Sequence, residues 1–413
     1  MQRQRVDKLA PAAHTEVLEN TVAGSWSHVM EDDLRRLRQQ FEYTLGVPFT
    51  DGNRIIPLRN GDEIFPAMLE AIDEAERTVD FATFVYWSGD IAIRFADALA
   101  RQAKRGLRVR VLLDAFGAEE MSGDLIEMLE KSGASVRWFR PLSFPRLWRA
   151  DKRTHRKILV VDDQTGFTGG VGIAEEWTGD ARHPNEWRDD HFRIDGPATN
   201  GLKAAFFDNW NEAGEWSWDK KPSPAKAHEG GVPIQIVRAS SSVGWTDTAT
   251  LLWLMVSSSR RTLTLVTPYF VPDERLERLL CETAARGVRV RLLIPGKHTD
   301  QPLTLWAGQT SIEKLLASGV DVWLYQRTHL HTKIAVIDGT ASCVGSANLN
   351  HRSAGKDEEC CAVVLCRDFA KVMERNFDND RQHAEQLSLD RWKARGWLSR
   401  LRERAARLIV EQL

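Results

Sequence analysis

Two short segments of this chain carry the residues best suited to chemistry, and both follow one pattern. The first is HRKILVVD, with His155, Lys157 and Asp162, and the second is HTKIAVID, with His331, Lys333 and Asp338 at the same spacing. One imidazole can attack a phosphorus atom and a second can protonate the departing oxygen, while two ammonium groups hold phosphate oxygens as negative charge develops. The pattern therefore predicts a site that breaks or exchanges phosphodiester bonds.

The residues around each pair indicate how the side chains are presented. Apolar and mostly β-branched residues follow each lysine, which is typical of a buried strand. Residues two apart on a strand share a face, so each His/Lys pair is expected to point one way. Small-residue turns follow, Gly169-Gly170 in the first copy and Gly345-Ser346 in the second. A single His-x-Lys could be a solvated strand end, but two equally spaced copies favour catalysis.

The duplicated motif resembles the HxKxxxxDxxxxxxG(G/S) signature of the phospholipase D superfamily. Within it, the chain is most similar to bacterial cardiolipin synthases of the short type without membrane-spanning helices. The supporting segments are WRDDHFRIDG (Trp187 to Gly196) and GSANLNHRS (Gly345 to Ser353), and the resemblance covers residues 55 to 380. The paired motif is specific to the superfamily, whereas the lipid-synthase assignment depends on weaker features.

This resemblance implies a role for each member of the two pairs. His155 would be the nucleophile that forms a phosphohistidine, and His331 would protonate the leaving alcohol and then deprotonate the incoming one. Lys157 and Lys333 would hold the phosphoryl oxygens together with Asn348. The first half lacks the matching asparagine, because its turn reads Gly-Gly-Val-Gly.

The resemblance also implies two acids that orient the imidazoles. Asp189 and Glu359 stand at the family positions whose carboxylates reach across to the histidine of the other half; the alternative for Asp189 is a surface acid paired with Arg188. Asp162 and Asp338 complete the catalytic motif in the sequence. A structural role, tying down the turn after each strand, is the favoured interpretation of these two.

A second repeat indicates that the whole domain is duplicated. LARQAKRGLRVRVLLDAFG (Leu99 to Gly117) matches LCETAARGVRVRLLIPGKH (Leu280 to His298), and in both halves a strand precedes this segment and a helix follows it. The predicted fold is α/β: two tandem phospholipase D-like units, each a mixed sheet flanked by helices, related by a pseudo-twofold axis with one active site at their interface. The expected segments are a lead-in (1–52), the two halves (53–220 and 221–385) and a C-terminal helix (386–413).

Composition limits the possible cofactors and partners. The 56 basic and 58 acidic residues give no overall positive charge to attract nucleic acid. Five cysteines without CxxC pairs indicate neither a disulfide framework nor a zinc site. Because two lysines can neutralise the phosphate and the sequence has no HExxH cluster, we expect a site without metal or other cofactor.

Three segments bear on contact with a membrane. The segment Phe139 to Lys157 interleaves basic and aromatic residues, which suit either an anionic bilayer or nucleic acid, and the C-terminal segment favours the bilayer. The stretch from Thr248 to Ser259 is expected to be a buried helix, with a surface that dips into lipid as the alternative. From Ser388 the chain reads as a basic amphipathic helix broken at Gly396, which either lies in the membrane interface or docks on the protein.

One face of that C-terminal helix is expected to carry Trp397, Leu401, Ala405 and Leu408, and arginines fill the remainder. Apolar runs in this sequence fall short of the roughly 18 residues that span a bilayer, so we expect a peripheral protein.

These observations predict a phosphatidyltransferase that makes cardiolipin from phosphatidylglycerol and a second lipid alcohol. Its partners would be anionic phospholipid and the membrane surface, on the cytoplasmic side of the bacterial inner membrane, and nucleic acid is not expected. An oligomer is not required, because both motifs lie in one chain. The alternatives are a phospholipase D that releases phosphatidic acid, a nuclease of the same superfamily, and a non-enzymatic lipid-binding scaffold, which two intact His/Lys pairs disfavour.

Overall fold

A computed structural model describes residues 28–141, 152–219, 223–240 and 246–412 of the chain. The lead-in before residue 28 lies outside the described residues. So does the central part of the basic aromatic segment, which contains Leu142, Phe144, Leu147 and Trp148.

The first half has the order of elements predicted from the repeat. Its elements are α1 His28–Leu45, β1 Thr50–Arg59, α2 Asn60–Asp73, β2 Thr78–Thr83, α3 Asp90–Lys104, β3 Arg108–Asp114, α4 Gly123–Lys131, β4 Ser135–Phe139, β5 Ile158–Val161, β6 Thr165–Gly169, β7 Asp190–Asp195 and α5 Thr199–Glu212. After α3 the chain turns at Gly106, whose φ of +88° is the left-handed conformation that commonly ends helices. The RVRVLL segment then forms β3, as expected.

The second half repeats this order. Its elements are β8 Val232–Ala239, α6 Asp247–Ser258, β9 Thr262–Val266, α7 Glu274–Ala285, β10 Arg289–Pro295, α8 Pro302–Ala317, β11 Asp321–Tyr325, β12 Ile334–Ile337, β13 Ala341–Gly345, α9 His351–Gly355, β14 Glu359–Leu365, α10 Arg367–Arg381, β15 Ala384–Gln386, α11 Leu389–Lys393 and α12 Trp397–Gln412. The βαβα order expected in both halves is therefore confirmed.

The described strands form one mixed sheet that runs through both halves. Its order is β15-β11-β10-β9-β12-β13-β14-β8-β1-β7-β6-β5-β2-β3-β4. Strands β2, β3 and β4 are parallel to one another, as are β9, β10 and β11, while the strands between them pair antiparallel. The two halves meet where β1 pairs antiparallel with β8. The strand order on one side of this junction mirrors the other, as the pseudo-twofold arrangement predicts.

Helices cover both faces of the sheet, and one of the resulting cores is shared. On one face each half has its own core, so that Leu159 of β5 belongs to the first and Leu265 of β9 to the second. On the other face Val160 of β5, Phe206 of α5 and Val336 of β12 lie in a single cluster. Because apolar burial is roughly proportional to the area removed from water, this shared core resists separation of the halves.

The periphery of the fold bears on two sequence predictions. Part of the predicted lead-in forms α1, whose Leu37 and Phe41 are buried in the core of the second half. Strand β1 also begins at Thr50, before the expected boundary at 52. The prediction of a buried helix from Thr248 to Ser259 is confirmed by α6, although Trp253 on it is exposed.

The C-terminal segment is broken near Gly396 as expected, giving α11 and α12. Helix α12 docks on α8 with Ala406 buried against Ala307. The face predicted to be apolar points outward, with Trp397 and Leu408 exposed. Among the described helices we find none with enough length and apolar character to cross a bilayer.

Candidate active site

Both His/Lys segments lie at the junction of the halves, immediately before β5 and β12 rather than within those strands. Each segment hydrogen bonds to the opposite half instead: the backbone N–H of His155 donates to the carbonyl of Glu358 at 2.9 Å, and that of His331 donates to the carbonyl of Arg188 at 2.7 Å. These backbone bonds hold each histidine against the segment that leads into β14 or β7. One His/Lys pair from each half is thereby brought to a common site.

His155 is held by a carboxylate from the second half. Its Nδ1 lies 3.2 Å from Oε1 of Glu359 and 3.2 Å from the carbonyl of Ser346. Hydroxyl groups of Ser346 and Ser353 donate to the same carboxylate. Burial would raise the pKa of Glu359, but the neighbouring His155 and the donated hydrogen bonds hold it at about 2. A carboxylate that stays ionised fixes the Nδ1 proton and leaves Nε2 of His155 with its lone pair.

His331 is held in the reciprocal way by a carboxylate from the first half. Its Nδ1 lies 2.7 Å from Oδ2 of Asp189, which also accepts a hydrogen bond of 2.9 Å from Nε1 of Trp177. Asp189 is fully buried, and this burial raises its pKa. Burial first, and then the positive charge of Lys333, hold the pKa of His331 well below its usual range.

The lysine of each motif lies beside the histidine of the same motif and is also buried. Lys157 donates to the carbonyl of His155 at 2.8 Å, and the Nζ of Lys333 lies 3.0 and 3.1 Å from the two ring nitrogens of His331. Burial lowers the pKa of Lys157 to about 8 and that of Lys333 to about 7, despite the nearby carboxylates. A phosphate oxygen bound beside these lysines would stabilise their ammonium forms and raise both pKa values.

The small-residue turns after the motifs support these carboxylates in two different ways. A Cβ atom at Gly170 would lie 2.2 Å from Oδ1 of Asp189, so only glycine fits beside this carboxylate. The matching residue of the second half is Ser346, whose hydroxyl donates to Glu359. The difference between Gly-Gly and Gly-Ser in the two motifs therefore follows from how closely each carboxylate approaches the turn.

Asn348 lies in the same buried region, beside the second turn. Its backbone N–H donates to the hydroxyl of Ser353 at 3.0 Å. Its side-chain oxygen is buried and has no hydrogen-bonding partner among the described residues. The carboxamide is thus available for a bound group.

The structure does not bring Asp162 and Asp338 to the histidines. Each follows its strand, five residues after the lysine, which is about 16 Å along an extended chain. The carboxylate of Asp162 accepts from the backbone N–H groups of Glu76, Arg77 and Thr78, all at 2.8 Å. Asp338 does the same for residues 260 to 262. Their place in the catalytic set is therefore not supported; both fasten the turn that enters the neighbouring strand.

Aromatic rings around the histidines were not foreseen from the sequence. Trp177, Trp187 and Tyr269 lie with ring centroids 5.3, 5.3 and 6.0 Å from that of His331, and Phe84 lies 5.4 Å from His155. They come from three separate parts of the chain, at Phe84, between Trp177 and Trp187, and at Tyr269, and only the position of Trp187 inside WRDDHF gave a signal. The rings exclude water from the imidazoles, which strengthens every charge interaction in the site.

One acidic cluster elsewhere in the described residues has the spacing of a metal site. Asp80, Asp163 and Asp219 offer carboxylate oxygens close to one another. Lys203 fills the position between them, with its ammonium 3.2 Å from Asp80 and 2.6 Å from Asp219, and Arg110 pairs with Asp80. The cluster is thus neutralised by protein cations and leaves no role for a metal ion.

Comparison with known proteins gives relatives over most of the chain. The protein family described as cardiolipin synthase, PLD-like domain, matches residues 68–180 and 252–381. The chain is 30% identical over 366 residues to a cardiolipin synthase of Geobacillus kaustophilus, and 31% identical over 376 residues to cardiolipin synthase 1 of Bacillus cereus. Each alignment covers 88% of this chain and 73% of the relative. The major cardiolipin synthase of Bacillus subtilis is 28% identical over 365 residues, covering 87% of this chain and 76% of that protein.

Solved structures share the fold at low sequence identity. Phosphatidylserine synthase from Haemophilus influenzae superposes with a TM-score of 0.70 at 14% identity, covering 92% of this chain and 96% of that one. Polyphosphate kinase from Porphyromonas gingivalis gives a TM-score of 0.56 at 14% identity, covering 82% of this chain and 49% of that one. The architecture of two joined halves is therefore common to proteins with different names.

Proposed function

Because the chain belongs to the family of cardiolipin synthases with phospholipase D-like domains, we propose that it transfers a phosphatidyl group from phosphatidylglycerol to a second lipid alcohol through a phosphohistidine. The observation that carries this proposal is the reciprocal pairing of His155 with Glu359 and of His331 with Asp189. Each half supplies the carboxylate that orients the histidine of the other, so the two imidazoles act in one site.

In the first step, Nε2 of His155 attacks the phosphorus atom of the donor lipid. Glu359 accepts a hydrogen bond from Nδ1–H of His155 throughout, and the proton stays on the ring. The imidazole therefore attacks as a neutral nucleophile, and the product is a charged phosphoimidazole. The bond between phosphorus and the leaving glycerol oxygen breaks, and that oxygen takes a proton from His331. The negative charge of a bound phosphodiester opposes the effect of Lys333 on His331 and favours its protonated form.

In the second step, His331 takes the proton from the hydroxyl group of the acceptor lipid. The acceptor oxygen then forms its bond to phosphorus as the bond to Nε2 of His155 breaks, and the free imidazole is restored. Both histidines are largely buried, with side-chain exposures of 12% and 5%. Limited access for water favours transfer to a lipid alcohol over hydrolysis.

The phosphoryl oxygens are held by the two lysines and by Asn348. The ammonium groups of Lys157 and Lys333 have lowered pKa values, and an anion between them raises both. Such preorganised charges stabilise the transition state more than they would in water, because they need no reorganisation as the reaction proceeds. Two cations at the phosphate make a divalent metal unnecessary for neutralising charge.

The substrate class sets the place of action. Both substrates are lipids, so we infer that the protein works at an anionic membrane surface on the cytoplasmic side of the bacterial inner membrane, as a peripheral protein. Because one chain holds both His/Lys pairs, a monomer has a complete site. Nucleic acid is not expected as a substrate of this site.

Product analysis tests the proposal. Purified protein is incubated with phosphatidylglycerol liposomes and, separately, with single- and double-stranded DNA, with and without EDTA. Wild type should form cardiolipin in the presence of EDTA, and His155→Ala and His331→Ala should each abolish it. The matched control is His183→Ala, an exposed histidine outside the site, which should behave as wild type. Phosphatidic acid, cut DNA or no product would select hydrolase, nuclease or scaffold instead.

A further inference from the structure

The outward face of α12 concentrates exposed apolar side chains. Of the twelve large hydrophobic residues that are exposed in the described part of the chain, five lie on this one helix. They are Trp397, Leu398, Leu401, Leu408 and Ile409, and Trp397 and Leu408 are 71% and 64% exposed. At 100° per residue these five occupy an arc of about 120°. A continuous apolar face of this width marks an interaction surface, whereas scattered exposed residues do not.

The rotation of α12 about its axis is fixed by contacts on its other side. Ala406 is buried in a small cluster with Val271 and Ala307. Glu403 is also buried and pairs with Arg395, the residue before the break at Gly396. The apolar face cannot turn inward without breaking these contacts, so the outward presentation is built into the fold.

The charges beside this face select its partner. On a helical projection Arg404 and Arg402 lie about 20° beyond the two edges of the apolar arc, and both are exposed. The segment from residue 388 to 413 carries seven basic and three acidic residues, whereas the whole chain has a net charge of −2. A second copy of this face would bring arginines against arginines. An anionic bilayer supplies both the apolar interior and the opposite charge.

The same helix is joined to the wall of the catalytic site. Arg407 donates to the carbonyl of Pro272 at 2.8 Å, and the N–H of Val271 donates to the carbonyl of Leu349, next to Asn348. Two residues before Val271 is Tyr269, whose ring lies 6.0 Å from that of His331. The hydroxyl group of Tyr269 donates to Asp300, which lies just before α8. Helix α12 is thus packed against the segments that carry the His331 side of the site.

We propose that the outward face of α12 docks this protein onto an anionic bilayer and thereby holds the His331 side of the site next to the membrane. The second part rests on the proposed function, because only a lipid substrate requires this placement. Docking and membrane contact are therefore not alternatives for this helix: one side binds the protein and the other binds lipid.

Vesicle binding of the full chain tests the docking. The variant pair is Leu401→Ser with Leu408→Ser, and the matched control is Tyr43→Ser with Ile93→Ser, two exposed apolar residues elsewhere. On phosphatidylglycerol-containing vesicles the α12 variant should bind at least about tenfold more weakly than wild type, and the control should not change. Wild type should bind vesicles of phosphatidylcholine alone much less, and added salt should weaken binding. Unchanged vesicle binding by the α12 variant overturns the proposal.

Two further measurements separate the possible failures. Quenching by brominated lipid should be smaller in Trp397→Phe than in wild type, and equal quenching overturns the placement of this face in lipid. Cardiolipin formation from phosphatidylglycerol dissolved in detergent micelles should be retained by the α12 variant, because the site itself is untouched. If wild type makes no cardiolipin in micelles but the α12 variant still loses vesicle binding, the proposed function fails and the docking stands. An oligomer that dissolves in the variant, without vesicle binding by wild type, contradicts the docking.

Discussion

Replacing Gly170 by alanine gives the sharpest test of the carboxylate that orients His331. The new Cβ would lie 2.2 Å from Oδ1 and 2.5 Å from Oδ2 of Asp189. Carbon and oxygen atoms need more than 3 Å, so the carboxylate must retreat by about 1 Å. Asp189 then loses its 2.7 Å contact with Nδ1 of His331, whose ring is no longer held for proton transfer.

A displacement of about 1 Å in a catalytic group costs about 100-fold in rate. We therefore expect kcat for cardiolipin formation in Gly170→Ala to fall by about this factor, with a smaller change in KM. Gly123→Ala is the matched control, because a Cβ at that glycine meets no atom within 4 Å. Thermal melts of both variants, compared with wild type, separate a lost orientation from a lost fold.

A double-mutant cycle with Asp189→Asn identifies the route of the effect. If Gly170→Ala acts through Asp189, the double variant should be about as slow as the slower single variant, since the two changes remove one interaction. Full additivity of the two losses, or a Gly170→Ala enzyme within about twofold of wild type, would show that Gly170 does not act through Asp189.

Three further predictions concern the surroundings of the histidines. Asp162→Ala should lower the free energy of unfolding by about 2 to 3 kcal/mol, because three backbone N–H groups lose their acceptor. The activity per folded molecule should stay within about twofold of wild type. Urea titration and kinetics measure the two effects, and a loss of kcat without a loss of stability would return Asp162 to the catalytic set. The lowered pKa of Lys333, about 7 against 10.5 when unfolded, means that its ammonium destabilises the folded state and that this cost declines as pH rises. Between pH 7 and 9 the free energy of unfolding of wild type should therefore rise by about 2 kcal/mol more than that of Lys333→Met. An identical pH dependence of stability in the two proteins contradicts this. Trp177→Phe removes a hydrogen bond to Asp189, so the pKa of this carboxyl group should rise further. We expect kcat to fall about tenfold and the acidic limb of the pH–rate profile to move to higher pH. An acidic limb that does not move counts against this role of Trp177.

The sequence predicted the repeated elements well, because their signals are local. The apolar run after Lys157 and its copy after Lys333 each form a strand, and the helix before Gly106 ends where a glycine permits a left-handed turn. The mirrored order of strands then follows from duplication. The local pattern does not show which surface an element covers. Helix α1 has an apolar stripe with Leu37 and Phe41, and this stripe packs against the core of the second half, which is distant in sequence.

The titratable residues of the site were predicted from the sequence, but the aromatic residues that surround them were not. Asp189 and Glu359 stand at recognisable positions, and the structure places them beside His331 and His155. Trp177 belongs to none of the motifs, so the sequence alone does not show that it lies beside Asp189. The structural role favoured for Asp162 from the sequence agrees with the structure, in which its carboxylate accepts from three backbone N–H groups of the neighbouring turn.

Trapping the covalent intermediate shows which histidine is the nucleophile. Wild type and His331→Ala are mixed with phosphatidylglycerol labelled at phosphorus, quenched in base, in which phosphohistidine survives, and mapped by mass spectrometry. We expect a phosphatidyl group on His155 of wild type. In His331→Ala it should form more slowly, because the leaving glycerol lacks its proton donor, and it should also decay more slowly, because no imidazole at position 331 activates the acceptor. Label on His331 of wild type, or cardiolipin formed at full rate without any labelled histidine, would contradict it.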